Sequence, residues 1–281
     1  MTIDIICPLY NAEKYINALH KSILKQKDVN INSINYILTK GNDCTEDMLK
    51  KLDCNYEIIE KSEFSHSTVR ENMARKCNAD ILVFITQDII IEREDWLVNL
   101  TKCIENGECA ASYSRQTCSN NTIEKYTRER NYPEKSFIVS KEDIEKKGLQ
   151  TFFFSDASSA IKRDIFMELN CYDGKKFPTN EDMYIAFKLI TNGYKIKYCA
   201  DSVVEHSHKF NLKQLYKRYY DTGVFFKQNS YLNEYKVNQA GGGMALYALK
   251  RALQDKNFSV LVNFVPNMAA RFIGMKMGKI S

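Results

Sequence analysis

The chain has 281 residues, 44% of them apolar, and Lys plus Arg exceed Asp plus Glu by five. That is an ordinary globular composition, long enough for one large α/β domain or for a domain with an appendage. Nine cysteines are scattered without C-x-x-C pairs, which argues against a zinc site or disulfide scaffold and fits reduced thiols in a cytosolic protein.

The chain opens on Thr2-Ile3-Asp4-Ile5-Ile6-Cys7, which reads as a core strand and not as a secretion signal. Further strands are expected at Asn35–Leu38, Tyr56–Ile59 and Ile81–Thr86, with amphipathic helices at Ala12–Gln26, Thr45–Leu52 and Ser67–Cys77 between them. Such alternation predicts βαβ units and a mostly parallel sheet with its strand C-termini along one edge. Pro8, Lys40–Asp43, Glu63–His66 and Asp88 are expected to line that edge. Beyond residue 100 the pattern loosens. Cys109–Ser114 reads as a strand, and Ser119–Lys147 as charged and loop-rich. Met183–Thr191 has helical periodicity and ends on Asn192-Gly193, a C-cap signal. Tyr194–Cys199 and Ser202–Glu205 read as short strands, and the chain from Leu212 onward as helical with a break at Gly241-Gly242-Gly243. The simplest parse is a catalytic domain over 1–205 and a helical appendage over 206–281.

Charge follows the same division. Residues 1–205 carry 28 Lys+Arg against 32 Asp+Glu, whereas residues 206–281 carry 12 against 3. A basic, aromatic-rich helical segment suits an anionic membrane surface or a lipid diphosphate. A solvated basic face is the alternative. Nucleic acid would be attracted electrostatically, but no recognition motif is visible, so none is expected as a partner. The uncharged C-terminal stretch Phe258 to Ala270 has 13 residues and contains Pro266. A bilayer span needs about 20, so contact with a membrane would be peripheral.

Four residues form the central constellation: Asp88, Asp182, His206 and His208. Asp88 ends the continuous apolar run Ile81–Ile85 with its Thr86-Gln87 extension, at the sheet edge where α/β folds bind ligands. It could equally cap the segment that follows. Glu181-Asp182 could serve chemistry or merely complement a helix dipole. His-x-His in a strand directs both rings to one face. Together they suit Mg²⁺ or Mn²⁺ held by a carboxylate, with imidazole tolerated by Mn²⁺, and a second carboxylate kept off the metal as a base. Trp96 and the aromatic stretch Leu215–Phe226 read as core packing. The Gly241–Gly243 triplet lacks the features of a phosphate loop.

The motifs resemble those of inverting family 2 glycosyltransferases with the GT-A fold, and among them the bacterial rhamnosyltransferase group. Ile5-Ile6-Cys7-Pro8-Leu9-Tyr10-Asn11 is similar to that family's first strand and nucleotide loop. Phe64-Ser65-His66-Ser67-Thr68-Val69-Arg70 resembles its F-x-H-x-x-x-R segment. Thr86-Gln87-Asp88 resembles the T-Q-D version of the metal-binding D-x-D, and Glu181-Asp182 the E-D motif. Tyr113–Gln116, Asn131–Pro133, Ser158–Arg163 and the basic end Arg271–Lys279 resemble further segments.

The resemblance implies a GT-A α/β fold with a helical C-terminal appendage. Pro8, Tyr10, Asn11, Asp43, His66, Arg70 and Gln87 would serve the nucleotide donor, with Arg70 contacting phosphate. Asp88, His206 and His208 would hold Mg²⁺ or Mn²⁺. Asp182 would be the general base, and Asp156 and Glu181 would contact the acceptor; Asp156 could also be a turn former. The chain departs from the pattern in three places. Leu38-Thr39-Lys40-Gly41-Asn42-Asp43 lacks the acid that helps hold the nucleobase, leaving Asp43 structural or a partial substitute. Thr86 replaces the first acid of D-x-D, and Glu71 stands where Asn is commoner.

The expected activity is transfer of L-rhamnose from dTDP-rhamnose to a surface polysaccharide or lipid-linked oligosaccharide, at the cytoplasmic face of the cell membrane. A UDP-hexose or UDP-N-acetylhexosamine donor is the alternative with the same mechanism. A non-catalytic scaffold subunit is the alternative of a different class.

Overall fold

The structure is a computed structural model that describes residues 1–235 and 240–281. In chain order its elements are β1 (Thr2–Leu9), α1 (Ile16–Leu24), β2 (Asn30–Thr39), α2 (Thr45–Lys51), β3 (Asn55–Ile59), α3 (His66–Lys76), β4 (Ile81–Ile85), α4 (Trp96–Glu105), β5 (Ala111–Thr117), α5 (Ile123–Asn131), β6 (Phe137–Val139), α6 (Ile144–Lys147), β7 (Ser158–Lys162), α7 (Arg163–Glu168), α8 (Glu181–Thr191), β8 (Ile196–Glu205), α9 (Leu212–Gln228), α10 (Ala240–Gln254) and α11 (Phe258–Ile280).

The strands form one sheet in the order β3-β2-β1-β4-β7-β5-β8-β6. Its first half is parallel, as the βαβ alternation requires. β1 and β4 are buried almost throughout, which is why both read as uninterrupted apolar runs. β7 runs antiparallel between β4 and β5. Its Ser158, Ser159 and Ala160 carry too little apolar signal to read as a strand, although all three are buried. Small side chains are needed there: Trp96, fully buried, donates its indole N–H to Ser114 Oγ and Ser158 Oγ, each at 3.1 Å. Trp96 is core, as expected.

Two expectations merge and two fail. The segments expected at Tyr194–Cys199 and Ser202–Glu205 are one strand, β8, whose register against β5 shifts between Ser114 and Arg115. The stretch Ser119–Lys147, expected to be loop-rich, contains α5, β6 and α6. Only Ile123 and Tyr126 of α5 are buried, so its helical periodicity is too sparse to read from sequence. The break expected at Gly241–Gly243 also moves, because these glycines lie in the first turn of α10.

The C-terminal helices pack onto the sheet domain through α9. Its Leu215, Phe225 and Phe226 are buried, and Phe177 meets Phe225 edge-on at 5.4 Å. On another side α9 meets α11 at backbone distance. A Cβ on Gly278 would lie 2.0 Å from Tyr220 O, one on Gly274 2.5 Å from Tyr216 O, and one on Gly223 2.4 Å from Met275 O. α11 continues through Pro266 for 23 residues, so the expectation that no C-terminal segment could span a bilayer needs correction: by length and composition this helix could. Its glycine contact with α9 instead ties one face to the protein.

Candidate active site

The C-terminal ends of β1 and β4 lie side by side, and the loops leaving them are locked together. Gln87 Oε1 accepts from Tyr10 N at 2.7 Å, and Gln87 Nε2 donates to Tyr10 O at 3.0 Å. This pairing places Asp88 at the rim of a cavity of about 680 Å³. Ile90 then forms a two-bond bridge with Glu205 at the end of β8, Ile90 N to Glu205 O at 2.8 Å and Glu205 N to Ile90 O at 2.9 Å. The residues that follow Glu205 are therefore carried to Asp88. His206 Nε2 lies 3.5 Å from Asp88 Oδ1, and His208 Nδ1 lies 3.5 Å from Asp88 Oδ2.

One donor atom from each of these three residues falls within 4.8 Å of the others. Burial holds both imidazoles below their ordinary value, His208 at about 4, assisted for His208 by His206 and opposed in both by the Asp88 charge. Both rings are thus neutral near pH 7 and offer a lone pair. Burial pushes the Asp88 carboxyl up, but His206 and His208, which carry positive charge in the acid range where a carboxyl titrates, outweigh it and hold Asp88 below the usual carboxylate range. One carboxylate and two neutral imidazoles in reach of one point fit a divalent ion, and the imidazoles favour Mn²⁺ over Mg²⁺. Gln116, which sequence reasoning did not assign, stands behind His206: its Oε1 lies 2.9 Å from His206 Nδ1, nearer than Arg128 Nη2 at 3.3 Å, and by accepting an N–H there it leaves Nε2 toward Asp88. Arg128 in turn donates Nη1 to Gln116 Oε1.

Across the cavity stands the first turn of α8. Its N-cap, Asn180, adopts the left-handed conformation at φ 63°, which asparagine tolerates better than most residues. Asp182 and Glu181 both line the cavity. Glu181 Oε1 accepts from Arg70 Nη1 at 2.6 Å, and Arg70 Nη2 donates to Asp156 O at 3.3 Å. Asp156 is itself buried, accepting Tyr172 O–H at 2.6 Å and Ser159 O–H at 2.7 Å. Asp182 is thereby crowded by two acids. Burial first, then Glu181 and Asp156, push its carboxyl well above the usual range.

This network engages several of the residues expected at ligands. Arg70, expected at phosphate, is 1% exposed and pairs with Glu181. Glu181 and Asp156, expected at the acceptor, line the cavity with their carboxylates hydrogen-bonded to protein groups. Glu71, the unexplained departure, is buried and accepts Tyr172 N and Gly174 N at 3.0 Å each, clamping the loop that carries Tyr172. Asp43 does not line the cavity. Its carboxylate accepts Thr45 N, Thr45 O–H and Glu13 N, so it ties together the loops around α2. Asn11 likewise accepts Asn42 N at 3.2 Å, outside the cavity wall. Of the expected sheet-edge residues, Pro8, Phe64, His66 and Asp88 line the cavity and the Lys40–Asp43 loop does not; Tyr10 and Gln87, expected at the donor, line it too.

Lys61, Arg128 and Arg218 also line the cavity. Arg218 comes from α9, so the C-terminal helices contribute to the site along with His206 and His208. Among the described residues, six of the eight buried side-chain polar atoms without a hydrogen-bond partner belong to cavity residues: Thr39, His66, Arg70, Thr86, Arg128 and Asn180. Such atoms are rare in protein interiors, and their concentration here marks a wall shaped for a polar ligand.

A mostly parallel α/β sheet with an Asp-His-His cluster and an acid pair facing it across one cleft defines a GT-A glycosyltransferase site. Residues 4–169 match glycosyl transferase family 2, and the chain belongs to that family. It is 32% identical to the O-antigen chain rhamnosyltransferase RfbN of Salmonella typhimurium, across 99% of this chain and 90% of that one. It is 30% identical to the O-antigen chain rhamnosyltransferase WbaN of Salmonella anatum, across 98% and 88%. Among solved structures it is similar to the mannosyltransferase PcManGT from Pyrobaculum calidifontis in complex with GDP-Man and Mn²⁺. That likeness has a TM-score of 0.61 at 16% identity, covering 99% of this chain and 86% of that one. S. aureus TarS 1-349 in complex with UDP-GlcNAc is similar with a TM-score of 0.57 at 13% identity, covering 100% and 92%. These structures share the fold.

Proposed function

We propose that this glycosyltransferase transfers L-rhamnose from dTDP-rhamnose to a hydroxyl of a growing O-antigen chain, with inversion at the anomeric carbon. The sugar and the acceptor class rest on RfbN and WbaN, whose similarity covers nearly the whole chain. The mechanism rests on one observation: Asp182, with its proton affinity raised, lines the same cavity as the Asp88-His206-His208 cluster.

In this reading Asp182 Oδ takes the proton of the acceptor hydroxyl. The oxygen attacks the anomeric carbon from the face opposite the diphosphate, the new C–O bond forms, and the bond to the diphosphate breaks. A raised carboxyl value suits a base that must be ionised yet hold a proton once it has taken one. Asp88, His206 and His208 would hold Mg²⁺ or Mn²⁺, which when bound neutralises charge on the departing diphosphate. Arg128 and Arg218 add cationic charge on the same wall. Glu181 and Arg70 hold the first turn of α8, and so Asp182, in place.

Calorimetric titration of the protein with dTDP-rhamnose and several UDP-sugars, each with and without Mn²⁺, tests the reading. Metal-dependent binding of dTDP-rhamnose alone is expected. Selective binding of a UDP-sugar would keep the mechanism and change the donor. Binding of none would favour a non-catalytic scaffold.

A further inference from the structure

One face of α11 is buried against α9 through Gly274 and Gly278, and the opposite face is covered by nothing among the described residues. Along that face Phe258, Val262, Val265 and Phe272 are each 70–78% exposed, with Ile273 and Ile280 beside them. Their spacing of three and four residues places them on one stripe. A helix of 23 residues carries such a stripe for about 35 Å. Leu246 and Leu253 of α10 are exposed as well. Soluble surfaces rarely leave an apolar strip of this length open.

The charge around the stripe selects its occupant. Residues 206–281 carry 12 Lys+Arg against 3 Asp+Glu, and the stripe itself contains Lys276. Lys250 stands between the two exposed leucines of α10. A second copy of this chain would bring an equal excess of positive charge against the first. An anionic lipid surface offers the complement to both features, apolar depth for the stripe and negative charge for the lysines.

We infer that α11, with Leu246, Lys250 and Leu253 of α10, is an in-plane membrane-binding face that docks the enzyme on an anionic bilayer. The helix lies along the surface and does not cross it. Its glycine face is in backbone contact with α9, so a crossing would strip α9 of its partner. The same contact orients the active site. On α9, Tyr216, Tyr220 and Gly223 face α11, and Arg218 lies on the opposite side and lines the cavity. The cavity therefore lies beyond α9, with the α11 and α9 layers between it and the lipid surface. This inference does not depend on which sugar is transferred.

The test is co-sedimentation of the full chain with vesicles of phosphatidylglycerol and phosphatidylcholine, against vesicles of phosphatidylcholine alone. Binding to the anionic vesicles, released by high salt or by carbonate, is expected. Val262→Ser with Phe272→Ser should lower the partition coefficient by at least about a hundredfold, since two large apolar side chains no longer enter the lipid. Lys250→Gln and Lys276→Gln should each lower it about fivefold at low salt, equivalent to about 1 kcal/mol per lysine. All four positions are exposed, so circular dichroism melts should match the parent. Equal binding to both vesicle types, or no binding to either, overturns the inference. So does retention through carbonate with release only by detergent, which means a spanning helix. A solution dimer that the Val262→Ser, Phe272→Ser variant dissolves would assign the stripe to a second copy and also overturn it.

Discussion

Arg70 and Glu181 meet 2.6 Å apart with both side chains shut away from water, one from α3 and one from the first turn of α8. Removing one partner of a buried pair leaves the other as an uncompensated charge, whereas removing both can be nearly neutral. Arg70→Met is expected to cost about 3–5 kcal/mol in urea denaturation. Arg70→Met combined with Glu181→Leu should recover part of that loss. A single Arg70→Met variant as stable as the parent would show that the pair does not hold α8.

Asp182→Asn should lower transfer by a factor of about 10²–10⁴, the usual share of a positioned base, while donor affinity stays near that of the parent. The variant should also be more stable at neutral pH. The folded-state value of Asp182 lies above its unfolded value, so its contribution is fully present below the unfolded value and is lost as pH rises through the folded one. Asparagine cannot lose that proton. Thermal melts of both proteins from acid to neutral pH check the sign: the gap should widen with pH, and a gap that narrows would contradict the raised value. Transfer by the parent should rise with pH over the same range.

Gln116 acts on the metal cluster only through His206. Gln116→Leu is expected to weaken Mn²⁺ binding about 10–100-fold, the range seen when a hydrogen bond behind a ligating histidine is removed. Asp88→Ala should abolish binding in the same calorimetric titration. Unchanged Mn²⁺ affinity in Gln116→Leu would mean that the ring is oriented by something else.

The α9–α11 contact leaves no room for a side chain. Gly278→Ala would put a methyl group 2.0 Å from Tyr220 O, so the helices must part. A loss of about 1–3 kcal/mol is expected in chemical denaturation, as for other overpacked cores. Gly107→Ala makes a useful comparison for space alone, because nothing lies near its Cβ position, although its positive φ adds a separate strain.

How much of this could be read in advance depended on the range of the interaction. β1 and β4 announced themselves because strands buried on both faces are apolar at every position, and α8 because its periodicity ended on Asn192-Gly193. β7 was silent, since the sheet there needs small residues beside Trp96, and small residues carry little pattern. The chemical types at Asp88, Asp182, His206 and His208 were visible, but not what Arg70, Glu181 and Asp156 do, because each is spent on a partner distant in the chain.

The sequence by itself determined the alternation of elements and the supply of carboxylate and imidazole at strand and helix ends, because these follow from local periodicity and side-chain chemistry. Only the tertiary structure decided that the Ile90–Glu205 bridge brings His206 to Asp88, that burial beside Glu181 and Asp156 raises Asp182, and that glycines press α11 onto α9 while its other face stays open. Those outcomes depend on which surfaces exclude water together, and proximity of that kind leaves no mark on neighbouring residues of the chain.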